Sequence, residues 1–175
     1  MTKTIDSFEE VVPKLVKIQL FSDFSPEDEK DKEILKNVCE IMKLKEFKKD
    51  EVIIEEGKFG EDFFILYRGT VRVCRKTPAG DTIALADLKS EDNIFFGETA
   101  LISDEPRTAT VKALSDCLCI SLSSKAFLSL CEKEPLLGYR VIFKLAKRIA
   151  KTLRDTNNDK ATLYAALFSE IEEGF

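Results

Sequence analysis

Histidine is absent from all 175 residues, and so is tryptophan. Without imidazole there is no Ser-His-Asp or Cys-His nucleophile and no histidine-ligated zinc or iron. Carboxylate chemistry survives that filter, but the pattern below points to binding and not to an enzyme. Long apolar runs are missing too. No stretch approaches the ~18 residues that mark a membrane span, and Met1 to Glu10 lacks the apolar core of a secretion signal. The expectation is a cytoplasmic chain with no membrane partner. Cysteine is present but unorganised. Cys39, Cys74, Cys117, Cys119 and Cys131 are odd in number and contain no CxxC pair. Cys117 and Cys119 share one face of a strand, yet no second pair completes a metal site, so no metal is expected. They read as small buried hydrophobes in a reducing compartment.

What is present fits one domain with a helical extension. Apolar residues make up 44% and charged residues 34%, ordinary for a globular chain. This length buries roughly 70% of the unfolded surface without a disulfide or metal staple. The 27 Lys and Arg against 32 Asp and Glu give a net charge of −5, which argues against nucleic acid as a partner.

The chain reads as helix, then short strands, then helix. Residues 1–41 form an N-terminal helical segment. Val11, Val12, Leu15, Ile18 and Phe21 line one face, with Pro13 inside it, and Ser25-Pro26-Glu27-Asp28 reads as a second helix start with Ser25 as cap. Residues 42–122 carry the strands. Val52–Ile54, Phe63–Tyr67, Val71–Cys74, Ile83–Leu85, Thr108–Leu114 and Cys117–Leu122 are β-prone runs separated by Gly, Pro and Asp turns. Short strands at near-regular spacing, with no βαβ alternation, predict a sandwich or barrel. Residues 123–175 return to helical spacing. Phe127 and Leu130 mark a short helix, and Ile142, Leu145, Ile149 and Leu153 mark a longer one. The polar run Asp155 to Lys160 is expected to break it before an apolar tail containing Leu163, Tyr164, Leu167, Phe168 and Ile171.

One segment, residues 96–111, carries chemistry. Gly97 opens a small-residue turn, Glu98-Thr99-Ala100, whose backbone N–H groups can approach an anion. A short helix starting near Glu98 adds its positive end. Arg107 supplies a planar fork of donors suited to phosphate, and Glu98 can accept from a pair of hydroxyls. Together they suit a small phosphorylated sugar. The plainer reading is a Glu98–Arg107 ion pair closing a loop.

The run FGETAL, then ISDE, then PRTATV, together with EEGKFGEDFFILYRGTVRV at Glu55–Val73, resembles the cyclic nucleotide-binding domain. This is the β-roll of the bacterial catabolite activator and of kinase A regulatory subunits. The likeness covers roughly Phe21 to Asp155. It implies a mainly β domain with flanking helices, a double-stranded β-helix of jelly-roll type, and a ligand, cAMP or cGMP, in place of a cofactor. It further implies that Arg107 pairs with the phosphate and that Glu98 accepts from the ribose 2′-hydroxyl beside Gly97. The amides of Ala100 and Thr108 donate to the phosphate, with Thr99 and Ala109 alongside. Val73 and Leu85 pack on the base, Leu101 relays movement to the last helices, and Tyr164 or Phe168 covers the purine. Asn93 stands where many members have glycine, and it tolerates the left-handed turn. The loop before the cassette looks about two residues longer than usual.

Three readings follow. The first is a receptor whose C-terminal helices repack on binding and signal to a protein partner. Roughly 20 residues follow Asp155, too few for a helix-turn-helix, so a stand-alone receptor is expected. The second is a degenerate β-roll kept as a protein-interaction scaffold. The third, a cupin-type metalloenzyme, lacks its histidines. Homodimerisation stays open, because the stripe from Ile142 to Leu153 suits either a dimer seam or packing on the roll.

Overall fold

Alternating apolar residues become strands here, and helical stripes close the two ends of the chain over them. The computed structural model describes residues 8–173, and side chains as far as residue 169. Two helices, α1 (Phe8–Leu15) and α2 (Glu29–Glu40), precede eight strands: β1 (Met42–Phe47), β2 (Val52–Ile54), β3 (Asp62–Arg68), β4 (Thr70–Lys76), β5 (Thr82–Lys89), β6 (Phe95–Phe96), β7 (Thr110–Ala113) and β8 (Cys117–Ser123). Helices α3 (Ser124–Lys133) and α4 (Pro135–Glu173) follow. The strands form two antiparallel four-stranded sheets, ordered β1-β8-β3-β6 and β2-β7-β4-β5. The expected mainly β architecture with flanking helices is what forms.

The core divides in two. Phe64, Leu66, Val71, Phe96, Val111 and Cys119 fill the space between the sheets. The other part joins the outer face of the first sheet to the helices, through Phe21, Leu35, Phe63, Leu101, Leu137, Val141 and Leu145. Phe127 of α3 sits at its centre, fully buried, with its ring edge-on to Phe21 at 6.5 Å and to Phe63 at 5.9 Å. The cysteines are all free thiols. Burial pushes the Cys119 thiol up to about 12 and those of Cys39 and Cys131 up to about 11, which disfavours their thiolate forms.

Several local expectations are corrected. Ser25 does not cap α2. Asp28 does, accepting from the Asp31 amide at 2.9 Å, while Asp31 reaches back to the Ser25 amide at 3.0 Å. Strands β1 and β6 went unread, since β1 alternates lysine with apolar residues and β6 is only two residues long. The break expected at Asp155–Lys160 does not occur, and α4 runs unbroken for 39 residues. That stretch holds no Gly or Pro, and Asp and Asn cost a helix only some tenths of a kcal/mol each. Ile171 lies beyond the described side chains.

Because Phe127 alone ties α3 to both α1-side and β3 aromatics, Phe127→Ala is expected to cost about 3–5 kcal/mol in chemical denaturation. A loss below about 1 kcal/mol would contradict this packing.

Candidate ligand-binding site

The site is built around one turn. Leaving β6, Gly97 takes φ +75°, and a single 3₁₀ turn follows over Glu98–Leu101. Glycine is required there on two counts. An L-residue is strained at that φ, and a Cβ would sit 2.8 Å from Ile54 Cδ1 and 3.1 Å from Arg107 Nη1. Asn93, just upstream, adopts φ 51° and ψ 49°, the left-handed turn its side chain tolerates.

Arg107 is fixed from every side. Its amide donates to the Lys58 carbonyl at 2.9 Å, and its carbonyl accepts from the Gly57 amide at 2.8 Å. Its Nη1 donates to the Gly97 carbonyl at 2.8 Å and its Nη2 to the Asp62 carbonyl. Gly60 lets the guanidinium pass, since a Cβ there would lie 3.1 Å from Nε and Nη2. The residue is only 8% exposed. Burial pulls its pKa down from the ordinary value, opposed by the charges of Asp62 and Glu98. Both of those acids already hold other cations: Asp62 holds Lys45 at 2.5 Å and Glu98 holds Arg148 Nε at 3.3 Å. The Glu98–Arg107 ion pair of the plainer sequence reading does not form. A buried cation therefore faces the cavity with its two nearby acids spent elsewhere.

That cavity has a volume of about 280 Å³. Its lining combines the cassette residues Gly97, Glu98, Thr99, Arg107, Thr108 and Ala109 with apolar Ile54, Val73, Ala86, Leu88, Phe95, Phe96 and Val111. Arg148 of α4 completes the wall, its guanidinium 4.2 Å from the Phe95 ring centre. Charged and polar groups beside apolar side chains suit a planar ring carrying an anionic tail.

Most of the residues singled out in the sequence converge on this cavity; Leu85, Ala100, Tyr164 and Phe168 do not. Leu85 is 54% exposed and outside the lining. Val73 pairs with Ala86 and Cys74 with Ala84, so Leu85 is the extra residue of a β-bulge. The inward positions therefore pass to Ala86 and Leu88. Ala100 does not line the cavity either, and its amide donates to the Gly97 carbonyl at 3.2 Å. Tyr164 and Phe168 do not cover it. Along α4 they lie roughly 24–30 Å beyond Arg148 at 1.5 Å per residue, and both are exposed.

Arg148 is a lining residue that the sequence analysis does not single out. The available signal was a four-residue step. Arg140, Lys144 and Arg148 lie on one face of α4, and each meets an acid: Asp31 at 2.7 Å, Asp23 at 2.7 Å and Glu98 at 3.3 Å.

A family profile described as "Cyclic nucleotide-binding domain" matches residues 44–134. Among curated proteins, the cAMP-dependent protein kinase regulatory subunit of Dictyostelium discoideum is 36% identical over 88 residues, covering 49% of this chain and 26% of that protein. The cGMP-dependent protein kinase, isozyme 1, of Drosophila melanogaster is 35% identical over 98 residues, covering 54% of this chain and 12% of that protein. The chain thus spans about a quarter or less of these relatives. Among solved structures, a cyclic nucleotide-binding domain from Methylobacillus flagellatus KT superposes with a TM-score of 0.71 at 26% identity, covering 86% of this chain and 80% of that one.

The close fit around Arg107 is open to test. Gly57 also has positive φ, +79°, but a Cβ there meets nothing within 4 Å. Gly97→Ala is expected to cost at least about 1 kcal/mol more than Gly57→Ala, since it adds overpacking to the same backbone strain. Equal losses in denaturation would show that Arg107 is not held as closely as described.

Proposed function

The chain belongs to the cyclic nucleotide-binding domain family, and from that premise we propose that it is a receptor for one cyclic nucleotide, cAMP or cGMP, with a binding role and no catalysis. The observation that carries this reading is Arg107: a buried guanidinium, fixed by two backbone carbonyls, lining the cavity and making no ion pair of its own, since Asp62 pairs with Lys45 and Glu98 with Arg148. A cyclic phosphodiester carries one negative charge. Burying it without donors would cost several kcal/mol, and the unused N–H groups of Arg107 offset that cost.

In this reading the phosphate sits against Arg107 and Thr108. Glu98 accepts from the ribose 2′-hydroxyl, and the base lies in the slot of Val73, Leu88, Phe95 and Val111. The Ala100 amide joins the phosphate only if the 3₁₀ turn opens, because that amide is held by Gly97.

The ligand also reaches α4. Glu98 cannot give both oxygens fully to a ribose and keep Arg148, so occupancy weakens the Glu98–Arg148 pair. Arg140 and Lys144 keep the start of α4 on the N-terminal segment. Leu101, buried at the end of the cassette turn, shares a core with Leu137, Val141 and Leu145 of α4. Binding thereby favours an arrangement of α4 freed from the cassette after Lys144, a shift in a pre-existing equilibrium. A protein partner that reads α4 would receive that signal.

Calorimetric titration of the nucleotide-stripped protein tests the receptor. Micromolar or tighter binding of cAMP or cGMP is expected, weakened about 100-fold or more by Arg107→Ala, since charged hydrogen bonds contribute about 1.5–3 kcal/mol each. A flat titration by folded protein overturns the reading and leaves the interaction scaffold in its place.

The coupling has its own test. A partly exposed ion pair is worth about 0.2–1 kcal/mol, so Arg148→Ala is expected to tighten binding of the ribonucleotide by up to about five-fold. It is expected to leave the 2′-deoxy analogue unchanged. Equal effects on both nucleotides would separate Arg148 from the ribose acceptor.

A further inference from the structure

The sheet ordered β2-β7-β4-β5 has a gap where the chain leaves it to form the cassette. Strand β7 begins at Thr110, opposite Cys74, so its ladder to β4 stops at that level. The residues just before it, Arg107, Thr108 and Ala109, turn out of the sheet and line the cavity. Strand β4 runs on. Its Arg75 and Lys76 pair with Ile83 and Thr82 of β5, and among the described residues no strand flanks them on the other side. Across the gap lies the segment after β2. There the Gly57 amide donates to the Arg107 carbonyl at 2.8 Å, and the Arg107 amide donates to the Lys58 carbonyl at 2.9 Å. The two sides of the gap thus serve different parts of the cavity. The Gly57–Lys58 side holds Arg107 by its backbone, and the β4–β5 hairpin carries Val73, Ala86 and Leu88.

One side chain spans the gap. Glu56 Oε2 accepts from the Lys76 amide at 2.9 Å, at the free end of β4. The Glu56 amide donates to Thr110 Oγ1 at 3.1 Å, where β7 begins. Glu56 Oε1 also lies 3.9 Å from Arg75 Nε, but the Arg75 side chain is 62% exposed and that pair adds little. The bond to the Lys76 amide is the stronger link. Its acceptor is a carboxylate, and it satisfies an N–H that a neighbouring strand would otherwise pair.

We propose that Glu56 is a positioning residue for the ligand, setting the distance between the wall that holds Arg107 and the hairpin wall that holds the base. The role presupposes the cyclic nucleotide receptor proposed for this chain. Glu56 is not among the residues lining the cavity, so it acts through those two walls and not by contact. Only a ligand that reaches both walls feels the spacing. A cyclic nucleotide does so, with its phosphate at Arg107 and its base against Val73 and Leu88. Walls already held apart at the right distance need no ordering when that ligand arrives, and this raises affinity.

Binding titrations of the wild type, Glu56→Ala and Glu56→Gln test the role with two probes. One is whichever of cAMP and cGMP the wild type binds, followed by calorimetry. The other is ribose 3′,5′-cyclic phosphate, which has no base, followed by phosphorus NMR. Glu56→Ala is expected to weaken the nucleotide about ten-fold and to leave the base-less probe unchanged. Glu56→Gln keeps a carbonyl acceptor for the Lys76 amide and is expected to bind close to wild type. In hydrogen exchange without ligand, the Lys76 amide should be protected in wild type and Glu56→Gln and lose that protection in Glu56→Ala. Equal weakening of both probes would trace the loss to Arg107 itself and overturn the proposal. So would nucleotide binding that Glu56→Ala leaves intact, or a Glu56→Gln variant as weak as Glu56→Ala. A folded wild type that binds neither nucleotide overturns the receptor reading, and the positioning role with it.

Discussion

A buried guanidinium without an acid of its own is the constraint on which the rest of this structure depends. Arg107 is held by the carbonyls of Gly97 and Asp62, and its own backbone is paired with Gly57 and Lys58. The β2–β3 loop, the adjoining start of β3 and the cassette turn are thereby fixed to this one residue, the loop through its backbone and the other two through its side chain. Two glycines, 60 and 97, clear the space it occupies. Taking such a cation out of water costs several kcal/mol unless it is paired, and the carbonyls repay only part of that. Arg107 lines the cavity, so the fold places a buried cation where an anion fits. Fold likeness alone would not establish this; the site geometry is what argues for it.

In the proposed reading, a second feature lets the binding pocket report its occupancy. Three cations at four-residue spacing pin the first half of α4, two to the N-terminal segment and one to Glu98. The pins differ in what can compete for them. Asp31 is buried and Arg140 lies over the Phe24 ring at 4.6 Å, so that contact is permanent in character. Glu98 instead lines the cavity, where the proposed hydroxyl-bearing ligand would compete for the same oxygens. A helix held firmly at one end and conditionally one turn later is a simple two-state element.

How much of this the sequence disclosed depended on the range of the interaction. The cassette was legible because its demands are local: Gly97 for a left-handed turn, Arg107 a fixed distance downstream, Asn93 tolerated at positive φ. The short strands β3, β4 and β8 were legible from β-prone runs between turn residues. Leu85 was misassigned because a one-residue bulge shifts the alternation, and no residue type in β5 announces it. Arg148 was invisible because its partner lies 50 residues away and its neighbours suggest a solvated face. The expected break in α4 failed because polarity was read as helix-breaking, although only Gly and Pro carry a large backbone cost.

The most direct test of the central claim is the nitrogen-15 signal of the Arg107 Nε–H group during addition of cyclic nucleotide, assigned by its loss in Arg107→Lys. The account predicts a distinct signal in the free protein, slowed in solvent exchange by burial. It should move on saturation and show contact with the phosphorus of the ligand. A signal that stays in place while the nucleotide binds would put the phosphate elsewhere and contradict the account.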